Sequence, residues 1–356
     1  MSLSFRPAAS ADGINIVKLL DKSPAKGRVR IIYTRRPDAY ASFQREAPDA
    51  RVFVWESDLG TAESDQIAGV VASLTRPYHV GGQILRGTYI GGLKKDPDVH
   101  QRLDLASAFT TVADTGADFA FCAVLTDNLG IVAAFQNGHR VPAGVRPLGD
   151  LTTFLIKSGG RGCRQPGRHF RACQPGDEPA LTRFYDRLTP QLGLFPAGVP
   201  WADNQGLSLG DFSVVTDPAG SIVAAGALWD QTDYRQYVIA GYSPLLNLAR
   251  LLNPLFSLAG YPQLPRPDTV VAMPMACFLV AEPGEEEALA AGLLRQAKQR
   301  GYAQMVAGPA HSSAFYPCFA SRRHVSFDST IYLVLPTDHR AVADVPDISG
   351  LQCAYL

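Results

Sequence analysis

A chain of 356 residues is longer than one hydrophobic core usually organises, so two domains of roughly 150–200 residues are expected. With 46% hydrophobic and 19% charged residues it has the composition of a folded globular protein and not of a disordered one. Lys plus Arg and Asp plus Glu both number 33, which removes any global electrostatic case for nucleic acid or an anionic membrane as the main partner.

The chain opens on Leu3-Ser4-Phe5-Arg6-Pro7, which alternates like a strand, without a charged n-region followed by an apolar h-region. Ser10-Ala11-Asp12 can cap the helix suggested by Ile14, Val17, Leu19 and Leu20. A long polar connection follows, where Arg35-Arg36 reads as solvated surface charge. Residues 51–56, 66–74 and 85–93 are β-rich and separated by turn residues, giving three successive strands, expected to be antiparallel. The period then changes: 100–116 places Leu103, Leu105, Phe109, Val112 and Ala113 at helical spacing, with Gly116 as a stop. Residues 118–125 form a wholly apolar strand, the pattern of one covered on both faces. A short helix over 128–137 and a strand over 152–156 close the set.

Residues 158–168 are rich in Gly and positive charge but lack a strand-to-helix G-x-x-x-x-G-K-[ST] context, so they read as a linker. The order of elements then repeats. A strand over 169–172 leads through Pro175-Gly176-Asp177-Glu178 into a helix carrying Leu181, Phe184, Tyr185 and Leu188, and strands follow at 212–215 and 222–229. The string Gly206-Leu207-Ser208-Leu209-Gly210 matches G-x-S-x-G, but it precedes a strand, where a nucleophile elbow must follow one. An additional apolar helix-like segment spans 245–258. The surrounding stretch, 243–261, contains Asn247, Arg250, Asn253 and Pro254 and is too interrupted to span a bilayer. A strand over 270–280, a helix over 285–300 with acids at its start and Lys298 and Arg300 at its end, and elements at 304–308, 312–320 and 329–335 complete the second set. No G-x-G-x-x-G follows the first strand, which excludes a Rossmann nucleotide site. The cysteines form no C-x-x-C pair: Cys122 and Cys277 sit in apolar runs, and Cys163, His169 and Cys173 match no common zinc spacing, so no metal is expected.

Strand, helix, three strands, helix, strand, helix, strand, run twice, resembles the GNAT acyltransferase superfamily in a tandem form. The echo is strongest in the openings Phe5-Arg6-Pro7-Ala8 and Phe170-Arg171-Ala172-Cys173 and in the fourth strand with its continuation, Tyr89-Ile90-Gly91-Gly92-Leu93-Lys94-Lys95-Asp96-Pro97. The resemblance implies a mixed α/β fold of two GNAT-like domains, 1–157 and 169–356, joined by the linker 158–168. It also implies that the fourth strand splays from the fifth, so that Gly92, Leu93 and Lys94 offer backbone groups to the pantetheine arm of an acyl-coenzyme A.

In that family a [QR]-x-x-G-x-[GA] loop holds the pyrophosphate on a helix start. Gln101-Arg102-Leu103-Asp104-Leu105-Ala106 keeps the outer positions and puts Asp104 at the inner Gly, whereas Glu282-Pro283-Gly284-Glu285-Glu286-Glu287 of the second half offers three acids. The donor site is therefore expected in the first half, with Asn128 matching the family's frequent Asn at the following helix start. The family's general-acid Tyr falls near Phe135 and Phe319, neither of which donates a proton, and Tyr316 is the only Tyr in those two helices. Glu56, Tyr89 and His79, the last in the loop between the third and fourth strands, are the candidates for a catalytic base.

The resemblance thus implies an acyl-coenzyme A-dependent N-acyltransferase. It would transfer acetyl from acetyl-coenzyme A, or another acyl group, to a small-molecule amine bound in the cleft between halves, without metal, nucleic acid or membrane, in the cytoplasm. The alternative is a catalytically degenerate tandem GNAT-fold protein that binds a small ligand or a protein partner. The sequence specifies neither the acceptor nor the oligomeric state.

Overall fold

The structure is a computed structural model that describes residues 3–22, 24, 29–57, 67–137, 144–160, 167–204, 206–335, 344–345 and 347–356. The first half contains β1 (Leu3–Pro7), α1 (Gly13–Lys22), β2 (Val29–Thr34), α2 (Ala39–Glu46), β3 (Asp49–Ser57), β4 (Ile67–Val80), β5 (Gln83–Lys95), α3 (Leu105–Ala113), β6 (Phe119–Leu125), α4 (Leu129–Asn137) and β7 (Val145–Lys157). The second contains β8 (His169–Ala172), α5 (Glu178–Leu188), β9 (Phe195–Pro196), α6 (Pro200–Asp203), β10 (Phe212–Thr216), β11 (Ile222–Trp229), β12 (Gln236–Tyr242), α7 (Pro244–Leu251), α8 (Asn253–Leu258), β13 (Met275–Ala281), α9 (Glu286–Gln299), β14 (Gln304–Ala307), α10 (Tyr316–Ala320) and β15 (His324–Val334).

The two openings are built alike. Arg6 grips Asp12 at 2.8 and 3.0 Å while the Ala9 amide donates to the same carboxylate at 2.7 Å. Arg171 grips Asp177 at 2.7 Å, and the Gln174 amide donates to that carboxylate at 2.8 Å. In each case an acid satisfies backbone donors at the turn that launches the first helix, and an arginine six residues earlier neutralises it.

One sheet carries both halves in the order β1-β3-β4-β5-β6-β15-β7-β14-β13-β11-β10-β8, with β9 hydrogen-bonded to β4. β3, β4 and β5 are antiparallel neighbours, as their turn-separated runs imply. Among the described residues of this sheet only β5–β6 and β13–β14 pair in parallel. The last strand of each half crosses over: β15 lies on β6 of the first half and β7 lies on β14 of the second, and the two pair with each other along nearly their whole length. The halves therefore share a core. β6 shows why it is apolar throughout, since Phe119 and Phe121 enter the core on one side of the sheet while Ala120, Cys122 and Val124 enter the core on the other.

Three features depart from the sequence reading. The polar connection after α1 holds β2 and α2, and β2 pairs with the unanticipated β12 in a separate two-stranded sheet that links the halves. The strand expected over 270–280 begins only at Met275, because Val270 pairs out as an isolated bridge to Val238. The segment 347–356 is largely buried, with Ile348, Leu351, Cys353, Ala354 and Tyr355 in the core.

Candidate active site

In the first half, β5 and β6 pair from Gly87↔Phe119 to Ile90↔Cys122 and no further, so the strands diverge beyond Ile90. A bulge produces the divergence. On β4 the partners step from Ala72 to Val70, while on β5 they step from Gly91 to Lys94, which inserts one extra residue in β5. Gly92 sits in the bulge at φ +66°, and a Cβ there would come within 2.9 Å of the Phe43 ring, so conformation and space both require glycine. Residues 90–94 and 122–125 then form two walls of a cavity of about 780 Å³. It continues beneath β2 and β12, past Ile31, Tyr237 and Ile239, to Leu246, Leu264 and Met273.

The second half repeats the geometry with another outcome. β13 and β14 pair only at Met275↔Val306 and Ala276↔Ala307, and the bulge between Val280 and Cys277 places Phe278 at φ +53°. Here the diverging strands are filled by the chain itself. The Phe278 amide donates to the Tyr355 hydroxyl at 2.8 Å, and the Tyr185 hydroxyl donates to the Phe278 carbonyl at 2.6 Å. The Gln352 side chain bonds both the amide and the carbonyl of Leu279 at 3.3 Å, and the Cys353 amide donates to Gly308.

Where the first-half cavity meets α2 and β2, its wall is charged. Arg35, read from sequence as surface, is 2% exposed: it donates to Glu46 at 2.9 Å and to Ser42 at 3.0 Å, donates to the Tyr33 hydroxyl, and lies 3.7 Å from the centre of the Phe43 ring. Arg235, also buried, approaches the other Glu46 oxygen at 3.7 Å and donates to the Leu356 carbonyl. The correction has a physical reason, because a buried guanidinium survives where a carboxylate and hydroxyls surround it. Burial alone would raise the Glu46 carboxyl, but Arg35 and Arg235 together hold it below its ordinary value. Its Oε1 is buried without a hydrogen-bond partner. Burial pushes the Tyr33 and Tyr89 hydroxyls well above their ordinary values, so both stay protonated. Burial also lowers the Lys94 ammonium.

Of the residues singled out from sequence, Tyr89, Gly92, Leu93, Lys94, Cys122, Asn128 and Phe135 line this cavity together. The others do not. Glu56 is held by Arg6 at 2.7 Å on β3. His79 lies within β4 instead of a loop, because the β4–β5 hairpin continues to Val80↔Gln83; its Nε2 is 3.2 Å from Thr189 Oγ1, and burial lowers its pKa. Gln101, Arg102, Leu103 and Asp104 form the approach to α3, where Leu103 and Leu105 pack against the core. The side chain of Ala106 lies outside the described residues. Phe135 in the cavity wall also meets Phe109 and Tyr332 edge-on, whereas Phe319 is core. Cys163 is outside the described residues, among which no three His, Cys, Asp or Glu side chains are grouped to hold a metal. The sequence reading missed Tyr33, Arg35, Glu46 and Arg235. The one available signal was the alternation Val29-Arg30-Ile31-Ile32-Tyr33-Thr34 running into Arg35, a strand pattern leading a charge inward.

No protein-family model matches the sequence, and no curated protein matches it. Solved structures do match the fold. Saccharomyces cerevisiae N-myristoyltransferase with bound myristoyl-CoA superposes with a TM-score of 0.57 at 9% identity, covering 99% of this chain and 83% of that one. A GCN5-related N-acetyltransferase from Sphaerobacter thermophilus gives 0.54 at 10% identity over 96% and 98%. The glucosamine N-acetyltransferase region of a fungal multi-domain GH3 β-N-acetylglucosaminidase gives 0.61 at 14% identity, covering 94% of this chain and 38% of that one. The fold is thus a tandem GNAT-like fold.

Proposed function

We propose that this chain is an acyl-coenzyme A-dependent N-acyltransferase whose donor enters between β5 and β6 and whose amine acceptor meets it in the adjoining cavity. The observation that carries this reading is the contrast between two equivalent splays: the first opens onto a cavity of about 780 Å³, and the second is filled by Gln352 and Tyr355. Extended backbone beyond Ile90 suits the amide-rich pantetheine arm, and the similarity to an enzyme solved with myristoyl-CoA supports the same class of donor.

The residues present suit the chemistry. The amine nitrogen attacks the thioester carbonyl and the carbon–sulfur bond breaks. Tyr89, kept protonated by burial, supplies a proton to the departing sulfur and recovers one from the amine. Glu46 Oε1, buried without a hydrogen-bond partner, accepts a hydrogen bond from the neutral acceptor amine and orients its lone pair. The apolar reach toward Leu246, Leu264 and Met273 suits an acyl chain longer than acetyl or an apolar acceptor, within the size range of small-ligand sites, roughly 300–1,000 Å³.

Thermal unfolding with coenzyme A and with acetyl-, octanoyl- and palmitoyl-coenzyme A tests the reading. A ligand at a hundred times its Kd stabilises the native state by roughly 2.7 kcal/mol, so a shift that grows with chain length is expected, together with thiol release in the presence of an amine. No shift with any donor and no thiol release across an amine panel would overturn it.

A further inference from the structure

The exposed apolar surface of this protein is concentrated in one place. Of thirteen large apolar side chains exposed among the described residues, nine fall between residues 245 and 270, on α7, α8 and the segment after them. Leu245, Leu251 and Leu258 are 76, 70 and 86% exposed, and Leu248 and Leu255 more than 60%. Isolated surface leucines need no explanation, but a contiguous cluster marks an interaction surface.

This exposure does not come from a loosely held segment, because its inner side is tied down. The Asn253 side chain bonds both the carbonyl and the amide of Leu264, at 2.8 and 3.0 Å. Lys157 donates to the Ser257 carbonyl at 2.5 Å, Arg323 donates to the Ala259 carbonyl, and the Tyr242 hydroxyl donates to Pro265 at 2.8 Å. These polar contacts face inward, while the leucines are exposed.

Charge and position identify what covers this face. Between residues 243 and 270 the ionisable side chains other than Tyr261 are Arg250, Arg266 and one acid, Asp268, in a chain whose total charges balance at 33 each. Arg323 adds a third guanidinium, 5.2 Å from the centre of the Tyr261 ring at the edge of the patch. Leucines flanked by arginines and an amphipathic ring are the pattern of an element lying in the headgroup region of an anionic bilayer. α7 and α8, of eight and six residues, are too short to span one. The patch is also continuous with the cavity: Leu246, Pro262, Leu264 and Pro265 line the cavity, while their neighbours Leu245, Leu248 and Tyr261 face outward.

We infer that α7 and α8 form an interfacial foot that seats the mouth of the cavity on an anionic lipid surface. The inference goes against the expectation of no membrane partner drawn from net charge, because balanced totals conceal a local excess of arginine and leucine. It stands apart from acyl transfer, since surface binding is measured without donor or acceptor.

Flotation with vesicles of phosphatidylcholine alone and of phosphatidylcholine with phosphatidylglycerol tests it. The protein is expected to float with the anionic vesicles and to be released by high salt. The triple variant L248E/L251E/L255E should lose more than about tenfold of this binding, since each leucine contributes several-fold to transfer from water. Thermal unfolding of the variant should match the parent, because the three side chains are exposed. Arg266→Glu provides an independent charge test should the triple variant fail to fold. Absence of flotation at either composition would overturn the inference, as would flotation insensitive to both variants. A dimer that L248E/L251E/L255E dissociates, seen by mass photometry without vesicle binding, would assign the face to a second copy instead.

Discussion

The two splays of the sheet have the same construction and opposite contents. Each follows a parallel strand pair, and each is opened by a one-residue bulge in the strand before it. In the first the bulge residue is Gly92, and in the second it is Phe278 at a comparable positive φ. A phenylalanine in that region costs of order 1 kcal/mol or more and persists only when its surroundings over-determine it. They do: Tyr185 and Tyr355 bond its carbonyl and its amide, and the rings of Phe195, Phe212 and Tyr355 pack against its own. One opening is therefore a cavity and the other is core, so two similar halves need not hold two equivalent sites.

The largest effect is expected at Tyr89. Tyr89→Phe should lower kcat about a hundredfold, the lower end of what acid–base groups contribute, while stabilisation by acyl-coenzyme A stays unchanged. Burial raises the native Tyr89 hydroxyl, and Arg35 with Arg235 lowers the native Glu46 carboxyl, so near neutrality neither titrates and neither places an inflection in the pH profile of kcat. Tyr185→Phe, which removes the hydroxyl from the closed splay, should leave kcat intact. Turnover unaffected by Tyr89→Phe, or lost on Tyr185→Phe, would break the comparison.

Next in size is the closed splay itself. Tyr355→Phe removes the acceptor of the buried Phe278 amide, and an unsatisfied buried donor costs about 1–3 kcal/mol. Urea unfolding should show a loss in that range, with no gain in acyl-coenzyme A binding, because Gln352 still holds Leu279. An unchanged midpoint would show that the hydrogen bond is not what keeps Phe278 in place.

What was legible in the sequence follows from the range of the forces involved. The antiparallel run β3–β5 could be read because local periodicity carries it, and the splay beyond Tyr89 was implied by the resemblance to the GNAT superfamily. The crossing of β7 and β15 could not, since each of those strands satisfies the same alternation whichever half it joins. Arg35 illustrates the same limit. Its burial depends on Glu46, eleven residues on, a carboxylate that Arg235, two hundred residues on, also approaches, and no local pattern encodes either ion pair. His79, expected in a loop, lies in β4 because the hairpin tightens to Gly81 and Gly82 alone.

The smallest expected effect tests whether the two openings are equivalent. Asp12 and Asp177 both lie below their ordinary carboxyl values, chiefly through the hydrogen bonds from Arg6 and Arg171. A carboxyl whose folded pKa is depressed adds stability that is fully present above its unfolded value, about 3.9, and is lost as pH falls through the folded value. Both arginines are about one-third exposed, so solvent screening limits each pair to less than about 1 kcal/mol. Asp12→Asn and Asp177→Asn should each lower stability by that amount at pH 7, and the deficit should disappear as the acid limb is reached. The sites follow the opposite edge strands β1 and β8 of the sheet, so the double variant should show the sum to within about 0.5 kcal/mol. A deficit at one site several times that at the other would show that the openings share a sequence pattern without sharing its energetics.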